Sequence, residues 1–88
     1  KDEAGSDEKL IAVPIDKVFS GYKHIADIDQ VSPHWLERIG HFFEHYKDLE
    51  KGKWVKLDGW GDAAEAKRLI LESIERYNAT PEAEKPRF

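Results

Sequence analysis

No cysteine and no methionine occur among the 88 residues, and no apolar run approaches the roughly 20 residues of a membrane-spanning helix. Without cysteine there are no disulfides, no thiolate metal ligands and no thiol nucleophile, a usage that fits the cytoplasm. No charged-then-apolar signal segment opens the chain, so a soluble, unanchored, cytoplasmic protein without a membrane partner is expected. The missing methionine, with Lys1 in first position, suggests a segment of something longer. An excess of basic residues is lacking too. Lys and Arg number 14 against 18 Asp and Glu, a formal charge of −4. General nucleic-acid binding draws on a basic surface, so no nucleic-acid partner is expected. A chain this short makes one small domain at most, marginal by itself without staples.

What is present is an alternation of extended and helical patterns. KDEAGSDEK opens the chain with charged side chains around a Gly5-Ser6 turn. LIAV (Leu10–Val13) reads as a short strand stopped by Pro14. From 15 to 32 the chain is irregular, with Val18, Phe19, Tyr22, Ile25, Ile28 and Val31 expected to dip inward. Ser32-Pro33 supplies a cap and a first-turn proline and predicts a helix to about Leu49. Its apolar arc holds Trp35, Ile39, Phe42, Phe43, Tyr46 and Leu49, with Leu36 at the edge. Gly52 is a stop, KWVKL (Lys53–Leu57) a second strand, and Asp58-Gly59 a turn. Asp62 opens a second helix running to Tyr77, with Ala63, Ala66, Ile70, Ile74 and Tyr77 at inward spacing. From Asn78 two prolines and alternating charge predict a loose, solvated tail. The order is strand, loop, helix, strand, helix, tail. Such an α+β chain has too few strands for a sheet of its own.

HFFEH (His41–His45) matches H-x-x-E-H, the inverted zinc-protease signature, with two histidines one helical turn apart and a glutamate to activate water. A catalytic zinc also needs a third protein ligand and an open position. Glu65, Glu72, Glu75, Glu82 and Glu84 sit on the second helix or the tail, with no visible way to complete a cleft. Two histidines on the helix flank can equally solvate it or join a subunit contact, and a five-residue match with two free positions is weak.

Two other clusters have more chemical logic. Asp2, Asp7 and Lys9 flank one tight turn. Mg²⁺ favours one or two carboxylates, completed by waters and substrate phosphates, and a nearby lysine supplies a point charge for phosphate. The calcium EF-hand spacing is not met. Tyr46 and Lys47 are adjacent, and a phenol beside an ammonium can grip a phosphate oxygen. Each cluster also has a plain structural reading: a solvated acidic turn, a core tyrosine, a surface lysine.

DEAGSDEKLIAVP followed by HFFEHYKDLEKGKWVKLDGW closely resembles the second half of bacterial family I soluble inorganic pyrophosphatases. The likeness runs from Lys1 to about Tyr77, and the separation of Asp2 from Tyr46 matches the family's. The resemblance implies the C-terminal part of a small closed β-barrel of the oligonucleotide-binding (OB) type, with two flanking α-helices and about two barrel strands present. Residues 1–77 would be part of one domain and 78–88 a loose tail. It implies Mg²⁺-dependent hydrolysis of pyrophosphate to two orthophosphates. Asp2 and Asp7 would be metal ligands, Lys9 a catalytic and phosphate-site lysine, and Tyr46 and Lys47 phosphate binders. His41, His45 and Asp48 would lie in the contacts of a homohexamer. The family's D-G-D-P-x-D-V motif is absent here, as are its other site residues. Activity is therefore expected of the full-length protein and not of this chain alone. The alternatives are an inactive fragment or assembly piece of that fold, or an unrelated binding module on the same scaffold.

Overall fold

The computed structural model describes residues 1–86. Helix α1 spans Pro33–His45 and helix α2 spans Ala63–Ala79. Short 3-10 turns lie at Ser20–Tyr22, Ile28–Gln30 and Glu82–Glu84. Proline opens α1 where its missing N–H is not needed, and the Ser32 carbonyl accepts from Trp35 N–H at 3.0 Å and Leu36 N–H at 3.2 Å. The Ser32 hydroxyl does not cap the helix. α1 stops before the expected Leu49. Tyr46 N–H still reaches the Phe42 carbonyl at 2.9 Å, but the chain then tightens: Asp48 N–H bonds to His45 at 3.0 Å and Glu50 N–H to Lys47 at 2.9 Å. Leu49 is fully exposed. It therefore offers no burial to hold another helical turn.

Asp62 begins α2 as expected, its Oδ1 accepting from Glu65 N–H at 2.9 Å. Arg68 pairs with Glu65 and Glu72 along the solvent face. The inward stripe differs from the expected one. Ala63, Ala66 and Leu69 are half-buried, whereas Ile70, Ile74 and Tyr77 are exposed. A second cap comes from far along the chain: Asp27 Oδ1 accepts from Ile28 N–H at 2.7 Å and from Ala63 N–H at 2.8 Å. Gln30 Oε1 in turn accepts from Ala26 N–H at 2.6 Å and Asp27 N–H at 3.0 Å. The 26–30 loop is thereby fastened to the start of α2. Both Ala63 N–H and Ile28 N–H hold the Asp27 carboxyl below its ordinary pKa.

The expected strands are not formed. Residues 10–13 and 53–57 are without ladder pairing, and pairing among the described residues is confined to isolated bridges, Asp2 with Gly5 and Asp2 with Val55. The OB-type barrel with about two strands is therefore not seen in the described residues. A strand exists through its neighbour's N–H and C=O groups, and no described segment pairs with Leu10–Val13. The expected turn at Asp58-Gly59 is also absent as a hydrogen-bonded turn, although Gly59 has φ 141°.

Among the described residues no hydrophobic side chain is buried. Ile25, Ile28 and Val31 dip inward to half-burial as expected, but Val18, Phe19 and Tyr22 stay exposed, as do Trp35, Phe42 and Tyr46 of the predicted arc. The radius of gyration is 15.9 Å, against about 12 Å for a close-packed chain of this length. Where a core would sit there is a hollow of about 1090 Å³, walled by residues including Leu10, Ile11, Ile39, Phe43, Leu57 and Leu69. No helix of the described residues is long and apolar enough to cross a membrane. The tail folds back on α2: Lys85 Nζ lies 4.8 Å from the Tyr77 ring centre and 3.0 Å from Glu82.

Candidate active site

The N-terminal turn is closed by its own backbone and side-chain hydrogen bonds. Asp2 and Gly5 exchange two backbone hydrogen bonds, each 2.9 Å, with Glu3 and Ala4 at the corner. Gly5 has φ 117°, a conformation that glycine adopts without steric cost. Asp2 Oδ1 accepts from Ala4 N–H at 2.9 Å, the local closure by which aspartate favours turns. Lys56 N–H donates to the Lys1 carbonyl at 2.8 Å, fastening the turn to the segment after α1.

Into this turn reaches Lys47, just past the end of α1. Its ammonium donates to Asp2 Oδ2 at 3.0 Å and lies 3.4 Å from Glu3 Oε1. Side-chain exposure is 14% for Lys47 and 11% for Asp2. The Asp2 carboxyl is held below the usual carboxylate range, first by Lys47 and then by Ala4 N–H, with the neighbouring Asp7 carboxyl a smaller cause. Reciprocally, Asp2 raises the Lys47 ammonium above the usual lysine value. Glu3 is lowered as well, first by its own backbone N–H and then by the charge of Lys47.

A second carboxylate–lysine pair lies beside the first. Asp7 Oδ2 accepts from Lys9 Nζ at 2.9 Å, but these side chains are 36% and 40% exposed. Lys9 Nζ also sits 5.0 Å from the Phe43 ring centre. Phe43 meets Tyr46 edge-on at 5.8 Å, Tyr46 stacks on Phe42 at 5.4 Å, and Lys47 Nζ lies 5.6 Å from the Tyr46 ring centre. An unbroken chain of contacts thus runs from Asp7 through Lys9, Phe43, Tyr46 and Lys47 to Asp2. All five residues singled out in the two clusters of the sequence come together, and Asp7, Lys9 and Tyr46 line the hollow.

His41 and His45 lie elsewhere on α1, their ring centres 4.4 Å apart. His45 Nδ1 and Asp48 Oδ2 are 2.9 Å apart on an open surface. Among the described residues no group of three or more His, Asp or Glu is placed to hold a metal ion. Among the described residues no third ligand of the kind a zinc protease requires is grouped with His41 and His45. Glu3 and Phe43 join this cluster without a functional signal in the sequence: Glu3 has only its place next to Asp2, and Phe43 falls on the apolar arc.

A sequence profile described as inorganic pyrophosphatase matches residues 1–78. The chain belongs to the inorganic pyrophosphatase family. It is 82% identical over 78 residues to the inorganic pyrophosphatase of Xanthomonas campestris pv. campestris, covering 89% of this chain and 44% of that relative. To the Rickettsia prowazekii pyrophosphatase it is 55% identical over 76 residues, 86% of this chain and 44% of the relative. Among solved structures, the Helicobacter pylori inorganic pyrophosphatase aligns with a TM-score of 0.86 at 47% identity, over 89% of this chain and 46% of that one. The chain thus spans less than half the length of these pyrophosphatases.

Proposed function

We propose that this chain carries one part of the active site of an inorganic pyrophosphatase, a hydrolase that cleaves pyrophosphate to two orthophosphates with Mg²⁺. The observation that carries the reading is the convergence of two carboxylates and two lysines on one turn, Asp2 with Lys47 at 3.0 Å and Asp7 with Lys9 at 2.9 Å. The donor set suits Mg²⁺ in kind: hard carboxylate oxygens from Asp2 and Asp7, the rest left to water and substrate phosphate. Asp2 already holds a cationic group at one oxygen, the Lys47 ammonium. Bound there, the divalent ion would neutralise phosphate charge and acidify water for attack on phosphorus.

The chain's own residues then have separable tasks. Asp2 and Asp7 hold the ion. Lys9 and Lys47 meet the substrate's phosphate oxygens as point charges, and the Tyr46 phenol supplies a neutral donor beside them. On this reading residues 1–77 belong to a single domain, with 78–88 outside it. Residues 10–13 and 53–57 become strands of an OB-type barrel once neighbours pair with them. His41, His45 and Asp48 lie in the contacts of a cytoplasmic homohexamer. A second reading, a catalytically inactive fragment or assembly piece, is favoured by the absence of any buried hydrophobic side chain among the described residues.

The test is orthophosphate release from pyrophosphate, with and without Mg²⁺. The chain alone is expected to release none. Mixed with a polypeptide carrying the part of the Xanthomonas relative that this chain does not match, it should release orthophosphate only with Mg²⁺, and Asp7→Asn should cut that rate about a hundredfold or more. A folded mixture without turnover favours the inactive piece. Turnover indifferent to Asp7→Asn removes Asp7 from the site.

A further inference from the structure

Lys9 is steered by two neighbours of unlike chemistry. Asp7, close by in sequence, accepts a hydrogen bond from the ammonium at 2.9 Å. Phe43, far along the chain on α1, has its ring centre 5.0 Å from the same nitrogen. The two hold a cation differently. A carboxylate takes one of the three ammonium hydrogens and offsets the charge that a phosphate would meet. An aromatic ring attracts the cation through its negative face and leaves the charge whole. The Phe43 ring is itself braced, with Phe42 edge-on at 5.1 Å and Tyr46 edge-on at 5.8 Å. Tyr46 and Lys47 follow one helical turn later on the same face of the chain. Phe43 is half-buried, whereas the Lys9 side chain is 40% exposed, so the ring is the more enclosed partner. Lys9, Phe43 and Tyr46 all line the hollow.

We infer that Phe43 is a positioning residue for the substrate's phosphate: its ring face holds the Lys9 ammonium in place for the phosphate oxygens without neutralising it. This rests on the phosphate role of Lys9 proposed above. Lys9 would meet phosphate in the bound state and in the transition state alike, so a misplaced ammonium weakens substrate binding and spares the rate at saturation. Loss of a ring that only supported the fold would do the reverse. It would lower the active fraction, and with it the apparent kcat, while KM stayed put.

The test is steady-state hydrolysis of pyrophosphate with Mg²⁺ by the reconstituted complex, this chain with the complementing polypeptide. Phe43→Leu keeps an apolar side chain and removes the ring. KM should rise about fivefold, with kcat changed less than about twofold. Lys9→Met should raise KM about tenfold or more. The double variant should have the KM of Lys9→Met, because the ring acts only through the ammonium. If Phe43→Leu does not fold, a trifluorinated phenylalanine in place of Phe43 decides: it keeps the packing, drains the negative face and should raise KM in the same direction.

An unchanged KM in the variants of Phe43, a fall in kcat alone, or effects that add in the double variant overturns the positioning role. With Lys9→Met still impaired, the phosphate reading of Lys9 survives that result. A KM indifferent to Lys9→Met, or no turnover from the folded unsubstituted complex, overturns both.

Discussion

Two neighbouring regions of this chain are built in opposite ways. Around Asp2 a handful of polar groups closes a knot: a two-residue turn, a carboxylate that caps it, and a lysine brought from the end of α1. Beyond Phe43 and Tyr46 lies a hollow of about 1090 Å³, walled by apolar side chains such as Leu10, Ile11 and Leu57 together with Asp7 and Lys9. Hydrogen bonds and ion pairs are directional and short-ranged, so a few residues suffice to complete them. Hydrophobic stabilisation grows with the area removed from water, and this chain brings no second apolar layer against the first. A candidate site can therefore be outlined by a chain that spans less than half of its relatives' length. A core cannot.

The largest effect should come from filling the hollow. The chain alone is expected to give no cooperative calorimetric endotherm and to bind a hydrophobic dye such as ANS. The complementing polypeptide should produce an endotherm and suppress dye binding. A sharp endotherm from the chain alone would erase the contrast between the two regions.

Next is the link between the irregular loop and α2. With its pKa depressed below the ordinary 3.8 by the N–H groups of Ala63 and then Ile28, Asp27 stabilises fully above that value. Its contribution is lost as pH falls through the lower folded value. Amide exchange at Ala63, corrected for intrinsic rates, should stay slow from pH 7 to about 4 and quicken below. Asp27→Asn should reproduce the quickened exchange at neutral pH.

A smaller loss, about 1 kcal/mol of helix stability, is expected from Asp62→Ala, which removes the local cap on Glu65 N–H. Far-UV circular dichroism would register it as lower helicity, with the Asp2–Lys47 knot untouched. Least affected should be chemistry in His45→Ala. That change removes the surface pairing with Asp48 and, on the proposed hexamer, should lower the assembled fraction in sedimentation velocity while turnover per complete site holds.

Much of the candidate site's grouping was legible because its signals are local. Asp2, Asp7 and Lys9 flank one turn, Tyr46 and Lys47 are neighbours in sequence, and Asp62 announces α2 by the residue type a helix cap requires. Other features gave no such signal. Nothing in the spacing of Asp27 showed that it would cap a helix 36 residues away. α1 ends before the apolar arc does, because Leu49 fits that arc in sequence yet stays fully exposed in space. LIAV and KWVKL have the composition of strands, but a strand needs a neighbour that composition cannot supply.

The sequence by itself determined the two helices, the glycine-permitted turn at Gly5 and the chemical kinds of the site's side chains, since each depends on residues within a turn or two of one another. Tertiary structure alone decided that Lys47 reaches Asp2, that Asp27 fastens the loop to α2 and that the apolar faces enclose an open hollow. Those outcomes turn on which distant groups come within a few ångströms, and that distance is set by the path of the whole chain.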